Sequence, residues 1–318
     1  MENENQTGFI IIGFSDVSHL QIPLFMIFFI TYFSTIAANA TMISVIGYNS
    51  LLHKPMYLFL GNLSTLDICY TSVIFPKLLL MLLDNRRHVS YLACYTQLYF
   101  FVGFASAEFF LLTVMAYDRY IAICKPLHYF TIMSKKVTAL FIIGTWVAGL
   151  CNSAVFSSSI AELPLCSHHK INHFFCDMAA VLKLTCRGTH RVEIIIYTKG
   201  VLIGLTSFFL TLTSYVYIIS TILKIKSEEG RSKAFSTCAS HLTVVILFYG
   251  TIMCMYMRPT SSYSLSQDKI FSLLYVVITP LANPLIYCLR NQDVKRAIKK
   301  LLSTQNAKTK AINLKSIK

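Results

Sequence analysis

A chain of 318 residues that is 55% hydrophobic and only 13% charged is too apolar for a soluble domain, where the apolar share runs about 45–50%. Its mean hydropathy of +0.59 points the same way. The formal net charge of +14 suggests a nucleic-acid partner, which the placement of the charges excludes. The first twenty residues hold Glu2, Glu4 and Asp16 but no Lys or Arg, and the first apolar run is too long for a cleavable signal core. That run is expected to act as its own insertion signal. Residues 1–21 then form an extracellular tail, where Asn5 heads an accessible glycosylation sequon, Asn5-Gln6-Thr7.

Apolar runs follow at 22–48, 56–83, 92–123, 137–161, 192–223, 234–257 and 269–289. Each is long enough to cross ~30 Å of hydrocarbon as a helix. They predict one seven-span unit over 22–289 and a basic cytoplasmic segment over 290–318. Lys54, Lys125, Lys135, Lys136, Lys224, Lys226, Arg231 and Lys233 fall in alternate connections, on the side of the tail that carries Arg290, Lys295, Arg296, Lys299 and Lys300. The positive-inside rule makes that side cytoplasmic and leaves Met1 outside. Orientation and attraction to anionic membrane lipid account for most of this charge, with no call for nucleic acid. Contact with a cytoplasmic partner is an additional role for the connections.

Helix geometry converts spacing into depth. Cys94 and Arg119 on the third run are ~37 Å apart along the axis, which places them on opposite faces of the membrane. Glu108 lies ~16 Å from Arg119, and Asp67 ~18 Å from Pro55 at the cytoplasmic start of the second run. Two carboxylates therefore share a depth near the middle of the bilayer. They serve as buried hydrogen-bonding groups for Asn39, serines and Asn283, or jointly hold a hard cation such as sodium, and the two readings are compatible. Lys199, just inside the fifth run, either snorkels to the outer interface or supplies a positive pole to an internal cavity.

MAYDRYIAICKPLHY (Met115–Tyr129) puts Asp118, Arg119 and Tyr120 where the third run meets a basic loop. The triplet resembles the rhodopsin-like G-protein-coupled receptors, and the fifteen-residue string resembles the olfactory receptors among them. HKPMYLFLGNLSTLDICY (His53–Tyr70), HFFCD (His173–Asp177), Ser214-Tyr215 and KAFSTCASHLTVV (Lys233–Val245) extend the similarity. So does PLANPLIYCLRN (Pro280–Asn291), with Asn283, Pro284 and Tyr287 in an NPxxY pattern. RPTSSYSLSQDK (Arg258–Lys269) is similar to the land-vertebrate branch. The likeness runs from about Phe9 to Lys300. Ala38 before Asn39 and Ala282 before Asn283 depart from the usual pattern, and no cysteine follows Cys288 to anchor an eighth helix by palmitoylation.

The resemblance implies an all-α membrane protein, a seven-transmembrane helix bundle with a short amphipathic eighth helix. It implies a receptor that binds a small, mostly apolar odorant in an outward-facing cavity and activates a stimulatory, olfactory-type G protein to raise cyclic AMP. The expected cavity wall is Val102, Ala105, Ser106 and Phe109 on the third span, with Lys199 and Ile203 opposite. Ile252, Met253 and Tyr256 on the sixth span, and Tyr275, Val276 and Thr279 on the seventh, complete it. Phe101 stands where amine receptors carry an acid, which disfavours an amine ligand. Tyr249, Tyr287, Tyr215, His241 and Arg119 form the expected relay to the cytoplasm. No cofactor is expected beyond an allosteric sodium ion at Asp67 and Glu108.

Of ten cysteines, Cys69, Cys124, Cys151, Cys238, Cys254 and Cys288 lie in spans or on the cytoplasmic side and are expected as thiols. Cys94, Cys166, Cys176 and Cys186 reach the oxidising side, where three connectivities are open. The resemblance implies Cys94–Cys176 and Cys166–Cys186. His168, His169 and His173 beside Cys166 and Cys176 suggest a metal site, but a disulfide sulfur is a poor ligand, so solvated histidines are expected. No phosphate loop, zinc-protease helix or nucleophile–base pair indicates an enzyme. A transporter would show inverted repeats and a charged midplane path, whereas this chain has no internal repeat and two midplane acids. A receptor for an endogenous metabolite outside olfactory tissue would share every motif.

Overall fold

The computed structural model describes residues 8–14, 20–84, 86–165, 169–185, 190–256, 265–291 and 293–300. In chain order, strand β1 (Gly8–Ile11) precedes α1 (Gln21–Tyr48) and α2 (Pro55–Asp84). Strand β2 (His88–Ser90) leads into α3 (Tyr91–Cys124), followed by the short α4 (Tyr129–Ile132) and by α5 (Lys135–Ala161). Strand β3 (Lys170–Ile171) and the short α6 (Met178–Leu182) precede α7 (His190–Leu223) and α8 (Glu228–Tyr256). The last span is composite: α9 (Leu265–Leu273), a π-helical turn (Leu274–Ile278) and α10 (Thr279–Arg290). Residues 293–300 form a final helix, α11, which buries Val294 and Ala297 and exposes Asp293, Lys295, Arg296, Lys299 and Lys300. It is the short amphipathic helix expected after the seventh span.

Six of these segments are apolar and long enough to cross a bilayer as they stand. α8, bent by 41° between Ser236 and Cys238, makes the seventh. Seven antiparallel crossings need no sheet to satisfy the backbone in lipid, since each helix closes its own hydrogen bonds. Polar side chains are gathered inside a largely apolar core, while many large apolar ones face outward. Thr35, Asn39, Ser64, Asp67, Ser106, Glu108, Asp118, Ser153 and Asn283 are buried, whereas Ile22, Ile30, Leu140, Leu202 and Phe209 are exposed. Hydrocarbon rewards that distribution, because a polar side chain facing lipid has no partner. Ser90 and Ser134 cap α3 and α5, each hydroxyl accepting from the amide three residues on (Ala93, 3.2 Å; Val137, 3.4 Å).

The end of the bundle that carries the N-terminal segment holds a feature that helical periodicity does not announce. Strands β2, β1 and β3 form a small sheet in that order, β1 pairing antiparallel with β2 and parallel with β3. Its segments are too short for a period-two signal to stand out in sequence. Gly13 ends the first strand with φ +60°, a left-handed conformation that favours glycine. The Gly13 amide donates to the His173 carbonyl (3.0 Å), and the Gly13 carbonyl accepts from the buried Lys269 ammonium (2.8 Å). The N-terminal segment, the outer loop and the seventh span are thereby joined into one cap.

The tightest helix contact is between α3 and α5. A Cβ built on Gly149 would lie 2.6 Å from the Gly103 carbonyl oxygen and 2.7 Å from the Ala107 amide nitrogen. Only glycine at 149 lets the two backbones approach so closely, as small residues do between membrane helices. This closeness sets the geometry of the site beside it.

Candidate ligand cavity and cytoplasmic switch

A cavity of about 180 Å³ opens beside that contact, in the half of the bundle that carries the three-stranded cap. From α3 it is lined by Phe101, Val102, Ala105, Ser106 and Phe109, at helical spacing on one face. α5 adds Asn152 and Phe156, and α6 adds Met178 as part of the roof. α7 contributes Gly200, Val201, Ile203, Gly204, Leu205 and Phe208. Tyr249, Ile252 and Met253 come from α8 and Tyr275 from the π turn. The described lining carries no charged side chain. Apolar walls with a few polar groups are the usual make-up of a small-molecule site.

Several expected wall positions lie elsewhere. Lys199 is exposed and points away, because the cavity stripe on α7 centres on Gly200, Gly204 and Phe208, across the helix from it. Its position agrees with snorkelling. Val276 and Thr279 are buried but off the cavity. The π turn widens the helix locally, so Tyr275 and Thr279 no longer share a face as an α-helix would make them. The side chain of Tyr256 lies outside the described residues, as do Asn5, Cys166 and Cys186. Asn152, Phe156, Met178 and Phe208 were not singled out from sequence. Asn152 alone offered a signal, as a polar residue well inside an apolar span.

Polar contacts at the cavity are few. The Asn152 amide donates to the Ser106 hydroxyl at 3.0 Å, bridging α5 to α3. The Tyr249 hydroxyl lies toward those of Thr113, Ser207 and Thr211 below the cavity floor, without a partner at bonding distance. Phe109 stacks edge-on against both Phe248 and Tyr249, with centroids 4.8 and 5.6 Å apart. Ligand contact on α3 is thus one ring away from α8.

The roof is pinned by a disulfide between Cys94 and Cys176. The Cys176 amide also donates to the Gln97 side-chain oxygen (2.9 Å), and Phe175 packs on Phe101 (4.8 Å). His173 is buried, sits against Phe174 and Phe175, and hydrogen-bonds Ser272 (3.2 Å). Burial, with Lys269 and Lys183 nearby, pushes its pKa down to about 3, so the imidazole is neutral at physiological pH. A histidine so enclosed is neither solvated, as expected from sequence, nor arranged with other ligands. Among the described residues no three His, Cys, Asp or Glu are grouped to hold a metal.

Below the cavity, Asp67 (2% exposed) and Glu108 (5%) meet Asn283. The Asn283 amide donates to both Asp67 oxygens at 3.2 Å, and Glu108 lies within electrostatic reach of Asp67. Glu108 Oε1 and Asn283 Oδ1 are buried with no hydrogen-bond partner. These unpartnered hard oxygens are the donor set that suits a hard cation. Asn39 makes no hydrogen bond to them; its amide donates to the Thr35 and Pro280 carbonyls (3.1 and 3.0 Å), and its own Oδ1 is buried without a partner.

At the opposite end of α3 from Cys94, Arg119 pairs with Asp118, whose other oxygen accepts from the Tyr129 hydroxyl at 2.8 Å. Asp118 is fully buried, and burial plus its charge push the Tyr129 pKa up. Tyr120 stands beside the pair, its ring under the Lys125 ammonium (5.9 Å). One turn of bundle away the Tyr215 hydroxyl meets His241 Nδ1 at 2.7 Å. Tyr287, buried one turn after Pro284 on α10, leaves its hydroxyl without a partner. The relay residues therefore form two separate bonded clusters, and the hydroxyls of Tyr249 and Tyr287 belong to neither. Arg119 is held by its own neighbour rather than offered to a partner.

The olfactory receptor family matches residues 28–305 of the chain. Olfactory receptor 5AR1 of Mus musculus is 47% identical over 305 residues, covering 95% of this chain and 98% of its own. Olfactory receptor 5B12 of Homo sapiens is 45% identical over 308 residues, with 96% and 98% covered. Olfactory receptor 8D1 of Homo sapiens is 44% identical over 303 residues, with 95% and 98% covered. With seven apolar crossings and an apolar cavity beneath a disulfide-pinned roof, the chain belongs to the olfactory receptor family, as a multi-pass, odorant-type G-protein-coupled receptor and not an enzyme.

Proposed function

We propose that this receptor binds a small, mostly apolar odorant in the charge-free cavity and signals through a stimulatory, olfactory-type G protein that raises cyclic AMP. The observation that carries the reading is the apolar cavity of about 180 Å³, walled by α3, α5, α7 and α8 together. The N-terminus faces outward and the basic connections face the cytoplasm and its anionic lipid. Activation is a population shift between two packings of the bundle. In the packing described here Arg119 is tied to Asp118; release of Arg119 toward Tyr215 and Tyr287 would open the cytoplasmic face. In cells reporting cyclic AMP, Arg119→Ala is expected to abolish the odorant response while odorant still stabilises the purified receptor. Wild-type potency and amplitude in that variant would reduce Arg119 to a rim anchor.

Asp67, Glu108 and Asn283 are proposed to hold an allosteric sodium ion that favours the inactive packing. Two buried carboxylates side by side are costly unless a cation or proton relieves them. An ion that binds one packing better biases the equilibrium toward it by linkage. Raising sodium, with potassium as control, is expected to lower basal cyclic AMP. Glu108→Gln should blunt that response by removing a formal charge from the site. Unchanged sodium sensitivity in a surface-delivered Glu108→Gln receptor would return both acids to a purely structural role.

A further inference from the structure

We infer that the ligand of this cavity is a neutral molecule with one oxygen function, anchored end-on at the Ser106–Asn152 pair. This rests on the cavity being the odorant site and specifies the chemistry it selects. Gly149 draws α5 against α3, so that the short side chain of Asn152, three residues on, spans the gap to Ser106. The bridge occupies one amide proton of Asn152 and one lone pair of Ser106. Among the described residues the serine proton and the Asn152 carbonyl oxygen make no other hydrogen bond, and both residues line the cavity. The pair therefore presents one donor and one acceptor to a mostly apolar space, in which Tyr249 and Tyr275 carry the other polar side-chain groups. A ketone, aldehyde or ester oxygen satisfies the donor, and an alcohol satisfies both.

Charged ligands are excluded by the same geometry. Neither a carboxylate nor an ammonium finds a counter-charge in the described lining, and burying an unpaired charge is strongly unfavourable. A hydrocarbon fits the walls but leaves the pair's groups unmatched. Size follows from volume: a cavity of ~150 Å³ takes up benzene, so one of about 180 Å³ takes compact ligands of roughly six to ten heavy atoms.

Five probes of nearly equal size test this: cyclohexanone, cyclohexanol, cyclohexane, cyclohexylamine and cyclohexanecarboxylate. Binding is read from the concentration-dependent thermal stabilisation of purified full-length receptor, which does not depend on G-protein coupling. Cyclohexanone and cyclohexanol are expected to bind about five- to tenfold tighter than cyclohexane, the worth of one or two matched hydrogen bonds. The two ions should bind on the order of a hundredfold more weakly. Ser106→Ala should erase the advantage of cyclohexanone over cyclohexane. Asn152→Asp should move the preference toward cyclohexylamine, a gain that mere loss of structure cannot produce. Equal binding of cyclohexane and cyclohexanone, tightest binding of either ion, a preference untouched by both variants, or no stabilisation by any probe overturns the assignment. Ser106-dependent binding without cyclic AMP in cells would uphold the ligand class and instead overturn the coupling proposed above.

Discussion

Gly149→Ala is expected to be among the most damaging single substitutions in this receptor, although it adds one methyl group. The new carbon would sit 2.6 Å from a backbone carbonyl oxygen and 2.7 Å from a backbone nitrogen of α3, and neither can swing away. Overpacking against movable side chains costs about 1–3 kcal/mol, and against two backbones the upper end or more. That is a large share of a typical stability of about 5–15 kcal/mol. Separating α3 from α5 would also part Asn152 from Ser106, so odorant response should fall together with stability. Gly144→Ala is the internal control. It lies on the same helix with nothing within 4 Å of its added carbon, so it should be neutral or mildly stabilising through helix propensity, by up to ~1 kcal/mol. Thermal unfolding of the purified variants and surface labelling in cells check both. Equal behaviour of the two alanine variants would show that the contact yields.

Cys176→Ser is expected to have an effect of similar size at the opposite level of structure. Its bond to Cys94 closes a loop across 82 residues, and losing a native disulfide typically costs about 2–5 kcal/mol, more for long loops. The consequence should be concentrated in the roof. Phe175 on Phe101, the Cys176 amide on Gln97 and Met178 over the cavity all depend on that tether. Cys94→Ser should match it, and the double variant should be no worse than either single one, since the partners act as a unit. Cys151→Ser, at an exposed free thiol, should leave delivery and signalling near wild type. Surface labelling and ligand-evoked cyclic AMP read the outcome; delivery of the Cys176 variant at wild-type level with an unchanged response would show the tether to be dispensable.

Much of the fold was legible in the residues because membrane helices are constrained locally. Every crossing must be an apolar run of about twenty residues that closes its own backbone bonds, so the seven runs read from sequence agree with the helices to within a few residues, the sixth being the loosest at its start. Cys94 and Arg119 could be put at opposite ends of α3 by counting, since rise per residue is constant. Asp67 and Glu108 could be paired in depth for the same reason, though not the fact that Asn283 bridges toward them from the last span.

Other features depended on contacts between segments far apart in sequence. The rotation of α7 that turns Lys199 outward is set by packing on α3, and no charge count reveals it. The π turn that carries Tyr275 to the cavity and takes Thr279 away breaks the regular period on which face assignments rest. The three-stranded cap joins residues of the N-terminal segment to loops up to 160 positions later, where no periodicity links them. Thus the residue sequence alone determined topology, depth and family likeness, because bilayer thickness and helix rise act on each span separately. Tertiary structure decided which side chains share the cavity and that Asn152 meets Ser106, because those depend on how closely Gly149 lets two helices approach.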